Sequence, residues 1–121
     1  MTEQRTDRQI IPTASTTFAP YTLDGPVQDD MSQLELSYDA VSGQGAYMIR
    51  MEPGAETKRH VHKRREEYLI IEGELIESDG TVLKKGDYVI YQPGSEHNSR
   101  TETGCFLIGI DYSFSNTHSE S

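Results

Sequence analysis

Residues 59–77 read RHVHKRREEYLIIEGELIE, and the phase of this stretch decides what kind of domain the chain builds. In an extended segment side chains alternate, so His60 and His62 fall on one face while Arg59, Val61 and Lys63 fall on the other. A turn through Lys63-Arg64-Arg65 returns the chain, and Glu66 enters the next strand level with the two histidines. Tyr68 and Ile70 share its face below them. Two imidazoles and a carboxylate thus converge on one point.

Outward from this stretch the apolar residues come in short runs rich in Tyr, Ile, Val and Leu, which favours strands over helices. Six to eight strands are expected. The clearest are QLELSY (33–38), AYMIRME (46–52), EYLIIEGELIE (67–77), TVLKKG (81–86), DYVIYQ (87–92) and CFLIGIDYSF (105–114). Ser78-Asp79-Gly80 marks a hairpin turn, and Lys85-Gly86-Asp87 and Pro93-Gly94 mark further corners. No long apolar stripe of helical period occurs, so a sandwich or barrel is expected, with a mouth open to solvent and alternate side chains turned inward. Polar stretches at 1–15 and 115–121 read as a loose arm and tail around a folded unit at 16–114.

Three ligands close in sequence leave one side of the site open. His97 is the residue expected to close it, because it follows the strand 87–92 and the corner Gln92-Pro93-Gly94, whereas His118 lies in the polar tail. Neutral imidazoles with one carboxylate suit divalent first-row metals, and four protein ligands in an octahedral shell leave two positions for water, substrate or dioxygen.

The 20 acidic and 11 basic residues give a formal charge of −9, a field that repels nucleic acid and anionic membrane surfaces. Neither is an expected partner. With Cys105 alone no internal disulfide can form, no secretory leader is visible, and the expected location is the cytoplasm. Cys105 itself reads as a small buried apolar residue.

Two further patterns bear on a resemblance. The segment GAETKRHVHKRREEYLIIEG matches G-x5-H-x-H-x3-4-E-x6-G, with Gly54, His60, His62, Glu66 and Gly73 in place. The segment GDYVIYQPGSEHNSRT matches G-x5-P-x-G-x2-H-x3-N at Gly86, Gly94 and His97, with Gln92 at the usual proline and Thr101 at the usual asparagine. With both motifs in order, the chain resembles the cupin superfamily (RmlC-like) over about residues 45–112. Within it, the chain is similar to small single-domain cupins of the anti-sigma factor ChrR and acetylacetone dioxygenase group.

The resemblance implies an all-β, double-stranded β-helix (jelly-roll) barrel, one divalent metal held by His60, His62, Glu66 and His97, and a homodimer. Glu67 is the competing carboxylate, but it leaves five rather than six residues before Gly73, so Glu66 is assigned. Fe2+ is the expected ion, with Zn2+, Mn2+ or Ni2+ as alternatives. The implied activity is that of a non-haem Fe(II) dioxygenase acting on a small enolisable or carboxylate-bearing compound.

Two other readings stay open: a ChrR-like sensory or regulatory module, and a metal-dependent lyase or isomerase. The first ranks lower because residues 1–45 carry no Cys, no His and no helical stripe that could form the zinc domain of such regulators. For catalytic roles the candidates are Tyr68 as proton donor and Arg50 and Arg100 as substrate-binding forks. Lys58, Arg59, Lys63, Arg64 and Arg65 cluster around the ligands, and by alternation most of them are expected to face solvent.

Overall fold

The computed structural model describes residues 5–23 and 25–113. The tail expected at 115–121, with His118, lies outside the described residues, as do the first four residues of the expected arm. Residues 5–15 form no strand, and Pro12–Ser15 is a turn closed by the Ser15 amide on the Pro12 carbonyl at 3.0 Å.

Among the described residues every regular element is a strand. They are β1 (Ala19–Tyr21), β2 (Gln28–Glu35), β3 (Gly45–Met51), β4 (His60–Val61), β5 (Arg65–Glu77), β6 (Val82–Lys84), β7 (Tyr88–Tyr91), β8 (Glu96–His97), β9 (Ser99–Arg100) and β10 (Cys105–Tyr112). No helix among the described residues is long and apolar enough to cross a membrane. The six clearest sequence runs correspond to β2, β3, β5, β6, β7 and β10. The additional strands are pieces of two or three residues, too short to carry a hydrophobic pattern.

All pairings are antiparallel, and the main sheet runs β1-β2-β3-β10-β5-β6, with β7 and β9 also paired to β5. The fold is the jelly-roll barrel expected from the sequence. β5 is its hinge. Its first half lies between β10 and β7, and its second half pairs with β6 and β9. The register against β10 slips between Phe106 and Leu107, which leaves one extra residue on β5 just before Gly73. Gly73 has φ +80°, and a Cβ there would sit 2.0 Å from the Gly104 carbonyl oxygen. Only glycine fits this bend.

The bulge also changes phase. Tyr68 and Ile70 point inward before it, Leu75 and Glu77 after it. Tyr68, Ile70 and Leu75 fill the barrel together with Met31, Ile49, Met51 and Leu107. Burying such side chains stabilises the fold by roughly 1.5–3 kcal/mol each. The polar end of the barrel is where the histidines lie.

Candidate metal centre

β4 and β8 pair with His60 directly opposite His97, so both imidazoles stand on one face of the ribbon. The ladder continues past β4, because the His62 amide donates to the Ser95 carbonyl at 2.8 Å and the Gly94 amide donates to the His62 carbonyl at 2.8 Å. That keeps His62 in phase with His60, while Val61 between them is turned out and 56% exposed. Glu66 enters from β5, with Oε1 3.0 Å from His62 Nε2 and 3.7 Å from His97 Nε2. One ligand atom from each of the four residues lies within 4.8 Å of all the others.

The outer nitrogens of the rings fix which atoms face the centre. His60 Nδ1 lies 2.8 Å from the Lys58 carbonyl, which can only accept. His97 Nδ1 donates to Glu77 Oε1 at 2.8 Å. The Ser95 hydroxyl spends its proton on the Gln92 carbonyl at 2.7 Å, so at 3.3 Å from His62 Nδ1 it accepts. All three Nδ1 atoms therefore carry the proton, and three Nε2 lone pairs point inward. His60 Nε2 and His62 Nε2 face each other at 3.1 Å, and His97 Nε2 is buried with no hydrogen-bond partner. Facing lone pairs beside a carboxylate leave this point short of positive charge, and a divalent cation fits the donor set.

The charge balance agrees. Burial alone would lower the His97 pKa, but Glu66 and Glu77 overcome it and raise the ring to about 9. Burial would raise Glu66, yet the His62 and His97 rings beside it and the Tyr47 hydroxyl hold it well below the usual carboxylate range. Proton and metal ion compete for the same place. Glu67, one residue on, faces the other way and binds Arg65 at 2.7 Å together with the Tyr88 and Tyr112 hydroxyls. Those hydroxyls and Arg65 keep its pKa at about 2. Glu66, not Glu67, is the carboxylate at the cluster.

The remaining candidates separate by strand phase. Tyr68 is buried beneath the cluster, and its hydroxyl donates to Glu77 Oε2 at 3.4 Å. Neither arginine reaches the centre. Arg50 is exposed on the outer face of β3, with its guanidinium 4.9 Å from the Phe18 ring and 4.4 Å from the Phe106 ring. Arg100 points outward from β9, and its side chain is 48% exposed and paired with Glu102 at 2.9 Å. The inward positions beside them belong to Ile49, Met51, Ser99 and Thr101.

Sequence reasoning missed the groups that steady the four cluster residues. Glu77 is buried and accepts from His97, Ser99, Tyr91 and Tyr68. Strict alternation from Glu66 turns residue 77 outward, and only a bulge at Gly73 would have signalled the change of phase. Tyr91 stacks on His97 with centroids 4.2 Å apart. Tyr47 bridges Glu66 Oε2 at 2.9 Å and Asp111 Oδ1 at 2.7 Å. Its ring lies over Gly109 of β10, where a Cβ would come within 2.8 Å of it. One phenolic proton serves two carboxylates there, and burial followed by repulsion from Glu66 pushes Asp111 up to about 7. Alternation from Leu107 through Gly109 would have placed Asp111 inside.

Below the cluster is a cavity of about 70 Å³, walled by apolar and tyrosine side chains together with His60, Glu66, His97 and Asp111, and with no Lys or Arg in its lining.

Residues 9–112 match the family model of the ChrR cupin-like domain. The chain belongs to that family. Solved cupin structures share its fold. An RmlC-like cupin from Shewanella frigidimarina is 20% identical, covers 94% of this chain and 96% of its own, and superposes with a TM-score of 0.70. An acetylacetone dioxygenase from Acinetobacter johnsonii is 11% identical over 92% of this chain and 78% of its own, with a TM-score of 0.74. The anti-sigma factor ChrR of Rhodobacter sphaeroides, solved in complex with SigE, is 18% identical over 71% of this chain and 47% of its own, with a TM-score of 0.62. No curated protein matches the sequence.

Within the cupin frame the two motif departures have local explanations. Gln92 accepts from Arg65 at 3.3 Å through its side chain, and its carbonyl accepts from the Ser95 amide and hydroxyl, which closes the turn before β8. Thr101 is 1% exposed, and its hydroxyl donates to Glu74 at 2.8 Å while accepting from the Gly104 amide at 3.0 Å.

Proposed function

We propose that the protein is a mononuclear metal-dependent cupin enzyme, a non-haem iron dioxygenase acting on a small enolisable or carboxylate-bearing compound. His60, His62, Glu66 and His97 would hold the ion. The observation that carries this reading is the convergence of three Nε2 lone pairs and one carboxylate oxygen at the head of a cavity. When bound, the ion supplies Lewis-acid polarisation of a substrate oxygen, and iron adds redox chemistry with dioxygen.

The chain supplies the surroundings. Glu77, Lys58 and Ser95 orient the three rings, and Tyr47 holds Glu66. Ile49, Met51, Leu75 and Leu107 keep bulk water from the inner cavity. Its volume is about half the ~150 Å³ that takes up benzene, so only a few substrate carbons fit below the cluster. Tyr68 lines that cavity, but its hydroxyl is turned to Glu77, which favours a packing and orienting role over proton donation.

The test is metal content of protein purified without added metal, followed by oxygen uptake with β-diketones, thiol acids and keto acids. Iron with uptake supports the reading, and absence of any bound divalent metal overturns it. A second reading, a metal-binding regulatory module, draws support from the match to the ChrR cupin-like family. Zinc with no uptake of oxygen would favour it. We also read the protein as a cytoplasmic homodimer, and light scattering on the eluting peak of a sizing column tests the dimer.

A further inference from the structure

In the basic run 58–65, Lys58, Arg59 and Lys63 face solvent; Arg65 is half-buried and paired with Glu67, and Arg64 has no such partner among the described residues. It is half-buried, and its Nε is shielded from solvent without a hydrogen-bond partner. The guanidinium lies against the backbone of Gly43, where a Cβ would stand 3.1 Å from Nη1. Among the described residues no carboxylate forms an ion pair with it. A fork held in place and left unpaired is unusual, since a buried donor without an acceptor is costly.

Arg64 borders a second cavity, of about 200 Å³, which opens on the cluster from outside. Lys63 and the ligands His60, His62 and Glu66 share its wall, as does Asp111. The two acidic groups there are already engaged, Glu66 by His62 and Tyr47 and Asp111 by Tyr47. The guanidinium is the free partner. The two cavities share Leu23, Tyr38, His60, Glu66 and Asp111, and of the two only the outer one carries basic side chains, Lys63 and Arg64.

We propose that the outer cavity is an anion subsite in which Arg64 receives the carboxylate of a small organic acid whose other end reaches the metal position. The inference deepens the proposed function by naming a carboxylate as the substrate's second handle, and it rests on that reading for the metal alone. A planar guanidinium matches a carboxylate with two parallel hydrogen bonds, which a lone ammonium such as Lys63 cannot offer. The cavity exceeds the ~150 Å³ that accommodates benzene, so an acid longer than acetate has room.

Acetoacetate and acetylacetone test this directly, because they have the same number of heavy atoms and differ by a carboxylate oxygen in place of a methyl group. Calorimetric titration of the metal-loaded protein should show acetoacetate binding about tenfold more tightly at physiological salt. Arg64→Gln should remove that preference while leaving acetylacetone affinity and metal content within about twofold of the parent. Arg64→Lys, which keeps the charge but loses the fork, should fall between the two and serves if Arg64→Gln does not fold. Equal binding of the two compounds by the parent overturns the proposal, and so does an equal weakening of both by Arg64→Gln. Metal content separates the readings. A preference for acetoacetate that depends on Arg64 in protein that binds no metal would keep the subsite and sink the proposed enzyme. Bound metal with no preference would do the reverse.

Discussion

The two ends of β5 hold His97 from opposite sides, with opposite degrees of satisfaction. At the far end Glu77 is closed off, its two oxygens taken up by an imidazole N–H and three hydroxyls. Those donors hold it below the usual carboxylate range although burial pushes the other way. At the near end Glu66 has one oxygen on Tyr47 and the other facing the inward nitrogens of His62 and His97. A carboxylate with all its lone pairs engaged can orient a ligand but has nothing left for a cation. One that faces other lone pairs is incomplete until positive charge arrives.

This contrast breaks most decisively at the incomplete end. Glu66→Ala or His97→Ala should lower divalent-metal affinity by about a thousandfold, since removing one of four ligands forfeits a few kcal/mol of a binding energy on the order of 10–16 kcal/mol. Chelator competition followed by metal analysis reads the change. A variant that keeps its metal within tenfold of the parent would show that the four groups are not the ligand set.

The contrast exists only because β5 changes phase at the bulge beside Gly73, where Ile71 is the extra residue. Gly73→Ala should lower the unfolding free energy by about 3 kcal/mol, the sum of a positive φ and a Cβ driven into the Gly104 carbonyl. Gly80→Ala is the control. Gly80 has φ +90° with no atom near its missing Cβ, and should cost only about 1 kcal/mol. Urea titration followed by tyrosine fluorescence suits a chain without tryptophan. Equal losses at the two positions would mean that the bend tolerates a side chain.

The same bend explains how far the sequence could be read. His60, His62, Glu66 and His97 were legible because they lie on segments whose alternation is unbroken and whose spacing matches two motifs. Glu77 was not, because a bulge inverts the phase between it and Glu66, and a bulge leaves only a glycine as its trace. Arg50 and Arg100 were read as substrate contacts from residue type without a phase, and phase turns both outward. Arg64 went the other way, since it sits in the turn between β4 and β5, where alternation does not apply. The strands of two or three residues were invisible because they are held by their neighbours' ladders rather than by a pattern of their own.

The satisfied end of β5 should yield a smaller effect on the metal than the incomplete one. Glu77→Gln keeps an acceptor for the hydroxyls but weakens the grip on His97 Nδ1, and metal affinity should fall about 10–100-fold with the fold retained. If affinity is unchanged while stability drops, Glu77 is a packing residue and the orienting role fails.

The smallest effect lies at Glu74, just past the bend, where Thr101 and Thr103 donate to one oxygen at 2.8 and 2.9 Å. Burial would raise this carboxyl, but the hydrogen bonds from Thr101 and Thr103 win and hold it below the usual carboxylate range. A folded-state pKa below the unfolded one adds stability that is complete above the unfolded value and vanishes as pH falls through the folded one. Thr101→Val removes the buried hydroxyl and should cost about 1 kcal/mol near neutral pH, kept small because water reaches the other side of Glu74. Measured by urea titration at a series of pH values, the gap between parent and Thr101→Val should close on acidification. A gap of constant size down to acid would assign the loss to the Gly104 amide, left without its acceptor, rather than to the carboxylate.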